Sequence, residues 1–292
     1  MTLAMAAAPS ATGGAVVLAV VLGSALLHAS WNALTHSARD RVATITLMGL
    51  ASIGCALPLL LLASAPARAA WPFIAASIVL ETAYSYGLVL AYRYGDFSRT
   101  YPLARGTSPL LVALFATLVL GQRASWAQLF GVAVVCAGLL VLSFAEGLPR
   151  REDLAAVCAA VATGCTIAAY TIVDGLGVRR SGSVLGYVGW TFLGQGIGVV
   201  LIAAALRRGR FPRIFHADVR RGLLGGVVAM TAYSLVLWAQ TRGTLAGVAT
   251  LRETSILIGC VIGTVLFRER FGGTRLLASL GVVTGILLIA HA

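Results

Sequence analysis

Apolar residues run through this sequence in long blocks, each closed by a short cluster of arginines, acids, glycines or prolines. A hydrocarbon layer of about 30 Å takes about 20 apolar helical residues to cross. Ten blocks have that length, at roughly 14–36, 42–64, 70–92, 98–120, 125–144, 153–173, 183–206, 219–240, 245–267 and 273–291. The pattern predicts an all-α membrane protein with ten transmembrane helices. The longest connection runs from Arg207 to Asp218. Connections this short leave no room for a soluble catalytic or nucleotide-binding domain, so any chemistry takes place between helices.

Composition agrees: 59% of residues are hydrophobic and 11% charged, where a soluble domain is roughly a quarter charged. A net charge of +12 would suit a nucleic acid, but the distribution of the charges excludes one. All 22 basic residues are arginine, and nearly all sit in the short connections. No basic face with interleaved aromatics extends beyond the apolar blocks. On the side that holds the termini, the connections carry 5 arginines (Arg68, Arg123, Arg179, Arg180 and Arg242), against 15 on the other side. By the positive-inside rule the second side is cytoplasmic, which places both termini outside a bacterial-type inner membrane. The N-terminal block lacks the basic lead of a signal peptide and is too long for one, so it reads as the first span. Cys55, Cys136, Cys158, Cys165 and Cys260 all fall inside apolar blocks, with no metal-ligand spacing. They read as small buried residues, with no disulfide, no metal and no cofactor.

The second half of the chain repeats the first. Ala104-Arg-Gly-Thr-Ser-Pro-Leu110, running on to Leu120-Gly-Gln-Arg123, aligns without a gap on Leu251-Arg-Glu-Thr-Ser-Ile-Leu257, running on to Phe267-Arg-Glu-Arg270. Arg105 thereby pairs with Arg252, Thr107 with Thr254 and Ser108 with Ser255. Upstream, Thr82-Ala-Tyr-Ser85 returns as Thr231-Ala-Tyr-Ser234, two residues out of register. Residues 1–147 thus form one five-helix repeat and 148–292 a second. Because five is odd, the second repeat enters the membrane from the opposite side. Inverted repeats of this kind hold a substrate near the midplane, between the halves.

These residues carry a family resemblance. Tyr101-Pro-Leu-Ala-Arg-Gly-Thr-Ser-Pro109 with Leu120-Gly-Gln-Arg123, and Leu251-Arg-Glu-Thr-Ser255 with Arg268-Glu-Arg270, resemble the EamA family of the drug/metabolite transporter superfamily. The likeness extends from His28-Ala-Ser-Trp-Asn32 to the last span. It departs from the family at Gln122, where an acid is common. The resemblance implies ten helices, no ATPase and export of amino acids or other small metabolites. Within the family, aromatic amino-acid exporters of the YddG type are the best-characterised relatives.

Charge inside the bilayer costs about 2.5–3.5 kcal/mol per residue on insertion scales, so it faces a partner or a wet cavity. Four residues qualify: Glu81 in span 3, Arg105 in span 4, and Arg252 with Glu253 in span 9. Neighbours in sequence point about 100° apart on a helix, so Arg252 and Glu253 do not simply neutralise each other. Either these groups form structural ion pairs, or an Arg grips a carboxylate and a Glu receives an ammonium or a proton. Stripes at helical spacing surround them: His28, Trp31 and Asn32; Glu81, Tyr84 and Ser85; Tyr101, Arg105 and Ser108; Thr163, Thr166 and Tyr170. Tyr233 completes the candidate substrate-binding set. Trp71, Trp126 and Tyr187, near span ends, read as interfacial anchors. Gly194-Gln-Gly-Ile-Gly198 and Gly281-Val-Val-Thr-Gly285 are close-packing surfaces, within a monomer or between the copies of a homodimer. Pro102 and Pro109 have no counterpart in span 9, which predicts a bend in span 4 alone, with Pro109 as a gating point.

The reading is a secondary transporter, not an enzyme, exporting a small zwitterionic metabolite, with protons as a possible partner. A lipid-headgroup or nucleotide-sugar translocator of the same fold is the alternative. An intramembrane enzyme on a lipid-linked substrate is disfavoured, because no nucleophile-and-base or metal set accompanies His28.

Overall fold

The computed structural model describes residues 11–36, 38, 40–94, 97–122, 125–144, 151–207, 211–216, 218–266 and 273–290. Among these, the α-helices in chain order are α1 (Ala11–His36), α2 (Arg41–Leu62), α3 (Trp71–Tyr94), α4 (Phe97–Leu118), α5 (Trp126–Ser143) and α6 (Leu154–Ser181). They continue as α7 (Val184–Arg207), α8 (Val219–Gln240), α9 (Leu245–Leu251), α10 (Thr254–Leu266) and α11 (Gly273–Ala290). Helices α1–α3 and α5–α8 are each long and apolar enough to cross a membrane alone. The proline-bearing α4, the α9–α10 pair and the shorter α11 complete ten crossings.

Short polar residues set the helix ends. Asp40 accepts from the Ala43 amide at the start of α2, and Asp218 from the Arg221 amide at the start of α8. Ser125 and Gln128 close a reciprocal capping box on α5, satisfying two amides that lipid would leave unpaired. Gly182 ends α6 at φ +68, a left-handed stop that favours glycine.

The packing obeys the internal repeat. Helix α1 lies on α8 as α6 lies on α3, and α4 lies on α6 as α10 lies on α1. The pairs α2 with α7 and α5 with α11 each join an element to its own counterpart. The gapless alignment of Arg105 on Arg252 is an offset of 147 residues, and the same offset carries Gly49 to Gly196. These two glycines touch: a Cβ on Gly196 would lie 2.6 Å from the Gly49 carbonyl, and one on Gly49 would lie 3.3 Å from the Gly196 carbonyl. Gly131 meets the Gly285 carbonyl, and the equivalent pair, Gly138 with Ala278, meets in the same way. The fold is two inverted five-helix repeats about a pseudo-twofold axis. Both GxxxG segments are used at least in part inside the chain: Gly194 faces Ile78, Gly198 faces Thr82, and Gly285 faces Val135.

Four expectations change. Span 6 does not stop near 173 but runs to Ser181, which brings Asp174 inside it. Span 9, expected to be regular, is interrupted at Arg252 and Glu253, while α4 runs on through Pro102 and Pro109. Tyr187 is wholly buried and is no interfacial anchor; Trp126, 87% exposed, fits that role. Cys158 and Cys165 are exposed on the outer face of α6 rather than buried, and both are free thiols, like Cys55 and Cys136.

Candidate functional site

Five charged side chains are buried among the described residues: Glu81 on α3, Arg105 on α4, Asp174 on α6, and Arg252 and Glu253 in the turn between α9 and α10. The interruption of span 9 organises them. Its backbone tightens into three-residue steps, with the Glu253 amide donating to the Thr250 carbonyl and the Ile256 amide to the Glu253 carbonyl. Carbonyls freed by such a turn need donors, since lipid supplies none. The Thr254 hydroxyl serves the Leu251 carbonyl, and an Arg105 terminal nitrogen reaches the Arg252 carbonyl at 3.4 Å. Arg105 also donates through Nε to Glu253 at 2.8 Å and through the terminal nitrogen to the Ser255 hydroxyl at 3.0 Å. With both partners 1% exposed, this ion pair staples α4 to the break. Removing one partner would strand a buried charge, at a cost of about 3–5 kcal/mol.

Arg252 is held differently. It is 4% exposed, one terminal nitrogen reaches the Tyr170 hydroxyl at a long 3.4 Å, and its guanidinium lies 5.7 Å from the Tyr233 ring centre. Its Nε has no acceptor among the described residues. Aromatic rings wall the same region edge to face: Tyr84 against Tyr170 at 5.5 Å, Tyr170 against Tyr233 at 5.8 Å, and Phe192 against Tyr233 at 6.1 Å. The first turn of α10 adds the positive end of a helix dipole beside Arg252.

On the other side of Tyr233 lies a carboxyl pair. Asp174, fully buried, accepts from the Tyr187 hydroxyl at 2.9 Å and from the Tyr233 hydroxyl at 2.6 Å. Glu81, buried on the neighbouring α3, lies close enough to feel the Asp174 charge. An arginine whose Nε lacks an acceptor among the described residues, a wall of rings and two buried carboxyls therefore share one region between the repeats. Chemically it can engage a small molecule bearing both a carboxylate and an ammonium. Among the described residues, no three His, Cys, Asp or Glu side chains gather as a metal site.

The structure brings together Glu81, Tyr84, Tyr170, Tyr233, Arg105, Arg252 and Glu253, with His28 close enough to both arginines to feel their charge. Other expected residues are occupied locally. The Trp31 indole donates to His28 Nδ1 at 3.3 Å, and the Asn32 amide donates to the His28 carbonyl at 2.8 Å. Ser85, Thr163 and Thr166 return their hydroxyls to carbonyls four residues back in their own helices. Ser108 is buried on α4, and the Tyr101 side chain lies outside the described residues. Sequence reasoning missed Asp174 and Tyr187. Gly182 was the available signal, since a left-handed stop there extends span 6 past Asp174.

The sequence model of the EamA-like transporter family matches residues 15–144 and again 154–291. A solved structure described only as "Crystal structure of protein" superposes with a TM-score of 0.71, covering 94% of this chain and 96% of its own at 17% identity. At that identity the likeness speaks for the fold. No curated protein matches the sequence. With the family pattern present twice, once in each inverted half, the chain belongs to the EamA-like transporter family.

Proposed function

We propose that this transporter exports a small zwitterionic metabolite, most simply an amino acid, by alternating access about the interrupted span. The observation that carries this reading is Arg252, a buried guanidinium with one N–H lacking an acceptor, at a helix break beside tyrosine rings. A substrate carboxylate would complete it. The ammonium would face Glu81 and Asp174, and the rings would take an apolar or aromatic side chain. Arg105 with Glu253 and Ser255 would hold the break in shape, and His28 and Tyr84 would border the substrate. Discontinuous membrane helices serve such sites in other transporters because their freed backbone and dipole ends meet the ligand. The arginine asymmetry supports a cytoplasmic face at the α7–α8 connection, with both termini outside. A C-terminal reporter that fluoresces only in the cytoplasm should stay dark.

The test is counterflow in proteoliposomes with amino acids, nucleotide sugars and amines. Exchange of one or more amino acids is expected. Exchange of nucleotide sugars alone would replace this reading with that of a sugar-nucleotide translocator of the same fold.

A further inference from the structure

The last three turns of α6 gather the terminus-side ends of several helices. Asp174 accepts from Tyr187 of α7 and from Tyr233 of α8, and Gln240 at the end of α8 reaches the Thr171 carbonyl at 3.4 Å. Leu245, the first residue of α9 and wholly buried, fills the notch left where Gly175 has no side chain. Nearer the end of α6 sits Arg179. Its Nε donates to the Gln240 carbonyl at 2.8 Å, and a terminal nitrogen donates to the Gly243 carbonyl at 2.6 Å. Gln240 and Gly243 bracket the tight turn between α8 and α9, which is closed by the Arg242 and Gly243 amides on the Ala239 carbonyl. One guanidinium thus joins α6 to the end of α8 and to the head of the interrupted span.

The opposite end is not closed in this way among the described residues. By the repeat, α1 and α3 correspond to α6 and α8, as α4 corresponds to span 9. Helix α6 packs on both α8 and α9, whereas α1 meets α3 and α4 at most marginally. Two inverted copies of one arrangement would be closed at both ends or at neither, and this chain closes one. The closed end also holds polar atoms that closure leaves unsatisfied: the Thr171 hydroxyl and Gln240 Oε1 are buried without a partner among the described residues. Buried polar groups are ordinarily paired by protein or by water. Unpaired ones are the expected mark of an end that is wet for part of its cycle.

We infer that Arg179 is the latch of a terminus-side gate: its two hydrogen bonds hold α6 against α8 and α9, and they break when the substrate region opens to that side. The contact suits a latch. Its acceptors are carbonyls rather than carboxylates and the arginine is exposed, so water can take over each bond as the helices part. Helix α9, at about 1.5 Å per residue, is a rod of about 10 Å that links the latch at Gly243 to Arg252 at the break. A substrate that shifts the break therefore pulls on the latch. The purpose of the latch rests on the alternating-access reading above, though its geometry does not.

Thiol labelling tests the latch without any substrate. In a cysteine-free full chain, Thr171→Cys places one thiol behind Arg179 with little change of size. A membrane-impermeant thiol reagent is applied to sealed vesicles from the side on which a C-terminal tag is open to protease, and separately from the other side. Slow labelling from the terminus side is expected with Arg179 intact. Arg179→Gln should raise that rate about tenfold, and Arg179→Lys, a point charge without the planar fork, should fall between the two. Rapid labelling with Arg179 intact overturns the closure, and a rate that Arg179→Gln leaves unchanged overturns the latch. An equal rise from both sides marks general loosening and overturns it too. Should Arg179→Gln fail to insert, the lysine variant decides alone, and a rate no higher than that of the parent overturns the latch. Counterflow separates this inference from the substrate reading: if no amino acid exchanges while Arg179→Gln still opens the terminus side, the substrate reading fails and the latch stands.

Discussion

Span 4 and span 9 descend from the same stretch of sequence and have parted in structure. Both carry Arg-x-Thr-Ser at matching positions, yet α4 is continuous through two prolines while its counterpart splits into α9 and α10. The decisive difference is one residue. Where the second half has Glu253, the first has Gly106, and a Cβ at Gly106 would stand 2.9 Å from that of Leu139. The first half has no room for an acid there. The acid of the second half crosses to neutralise the arginine of the first, and the arginine of the second is left short of an acceptor. Duplication thus supplied two equal arginines, and one glycine-to-glutamate difference made one a staple and the other a candidate grip.

The largest effect is expected from Glu253→Gln, which strands Arg105. It should lower stability by about 3–5 kcal/mol, read as a fall in the unfolding midpoint in detergent. Arg105→Met combined with Glu253→Leu should recover most of that loss. A double variant as unstable as the single one would show that the staple lies elsewhere.

Arg252→Gln should fold but transport poorly. A charge-assisted hydrogen bond of about 1.5–3 kcal/mol corresponds to roughly a tenfold to hundredfold weaker apparent affinity in counterflow. A normal apparent KM would reverse the roles given to the two arginines. Gly106→Ala should cost about 1–3 kcal/mol through overpacking against Leu139, and an indifferent Gly106→Ala would remove the steric reason for the asymmetry. Pro109→Ala tests whether the continuous member of the pair still gates: a change in counterflow rate below about tenfold is expected, with the unfolding midpoint unchanged.

A part-buried ion pair at the helix ends gives the smallest effect and serves as a control for the fully buried one. Arg207 on α7 donates to both oxygens of Asp40, at 2.5 and 2.6 Å, tying α7 to the start of α2. Partial burial pushes the Asp40 carboxyl up, but the Arg207 hydrogen bond, the Ala43 amide and the Arg207 charge outweigh it and hold the group below its usual range. A depressed value means the stabilisation is complete above the ordinary carboxylate range near about pH 4 and is lost as pH falls through the lower, folded value. Asn caps a helix about as well as Asp, so Asp40→Asn should cost only about 0–1 kcal/mol at neutral pH and should flatten the acid side of the stability profile.

How much of this was legible in the sequence depended on the range of the forces involved. The spans follow from local hydropathy, and their ends were found closely wherever a charge or cap closed the block. Glu81 was found because it sits in mid-block. Asp174 was lost because an acid near the end of a block looks like the end itself; only its two tyrosine donors, from α7 and α8, make it tolerable inside. The break in span 9 was hidden because nothing in Arg-Glu-Thr-Ser breaks a helix by itself. It is stabilised by Arg105 from another helix, a tertiary interaction, whereas the prolines that do disfavour helix were accommodated in α4.

Gly49 and Gly196 are the same position in the two halves, and they press against each other's backbone. Before the two halves were joined, a five-span chain making this contact would have been meeting its own copy, one subunit inserted upside down against the other. Such a pair would need its chain to insert in both directions. Within one chain the odd number of spans in each half imposes the two directions automatically. Covalent linkage also lets the two copies of a position differ, as Gly106 and Glu253 do, which a pair of identical subunits could not.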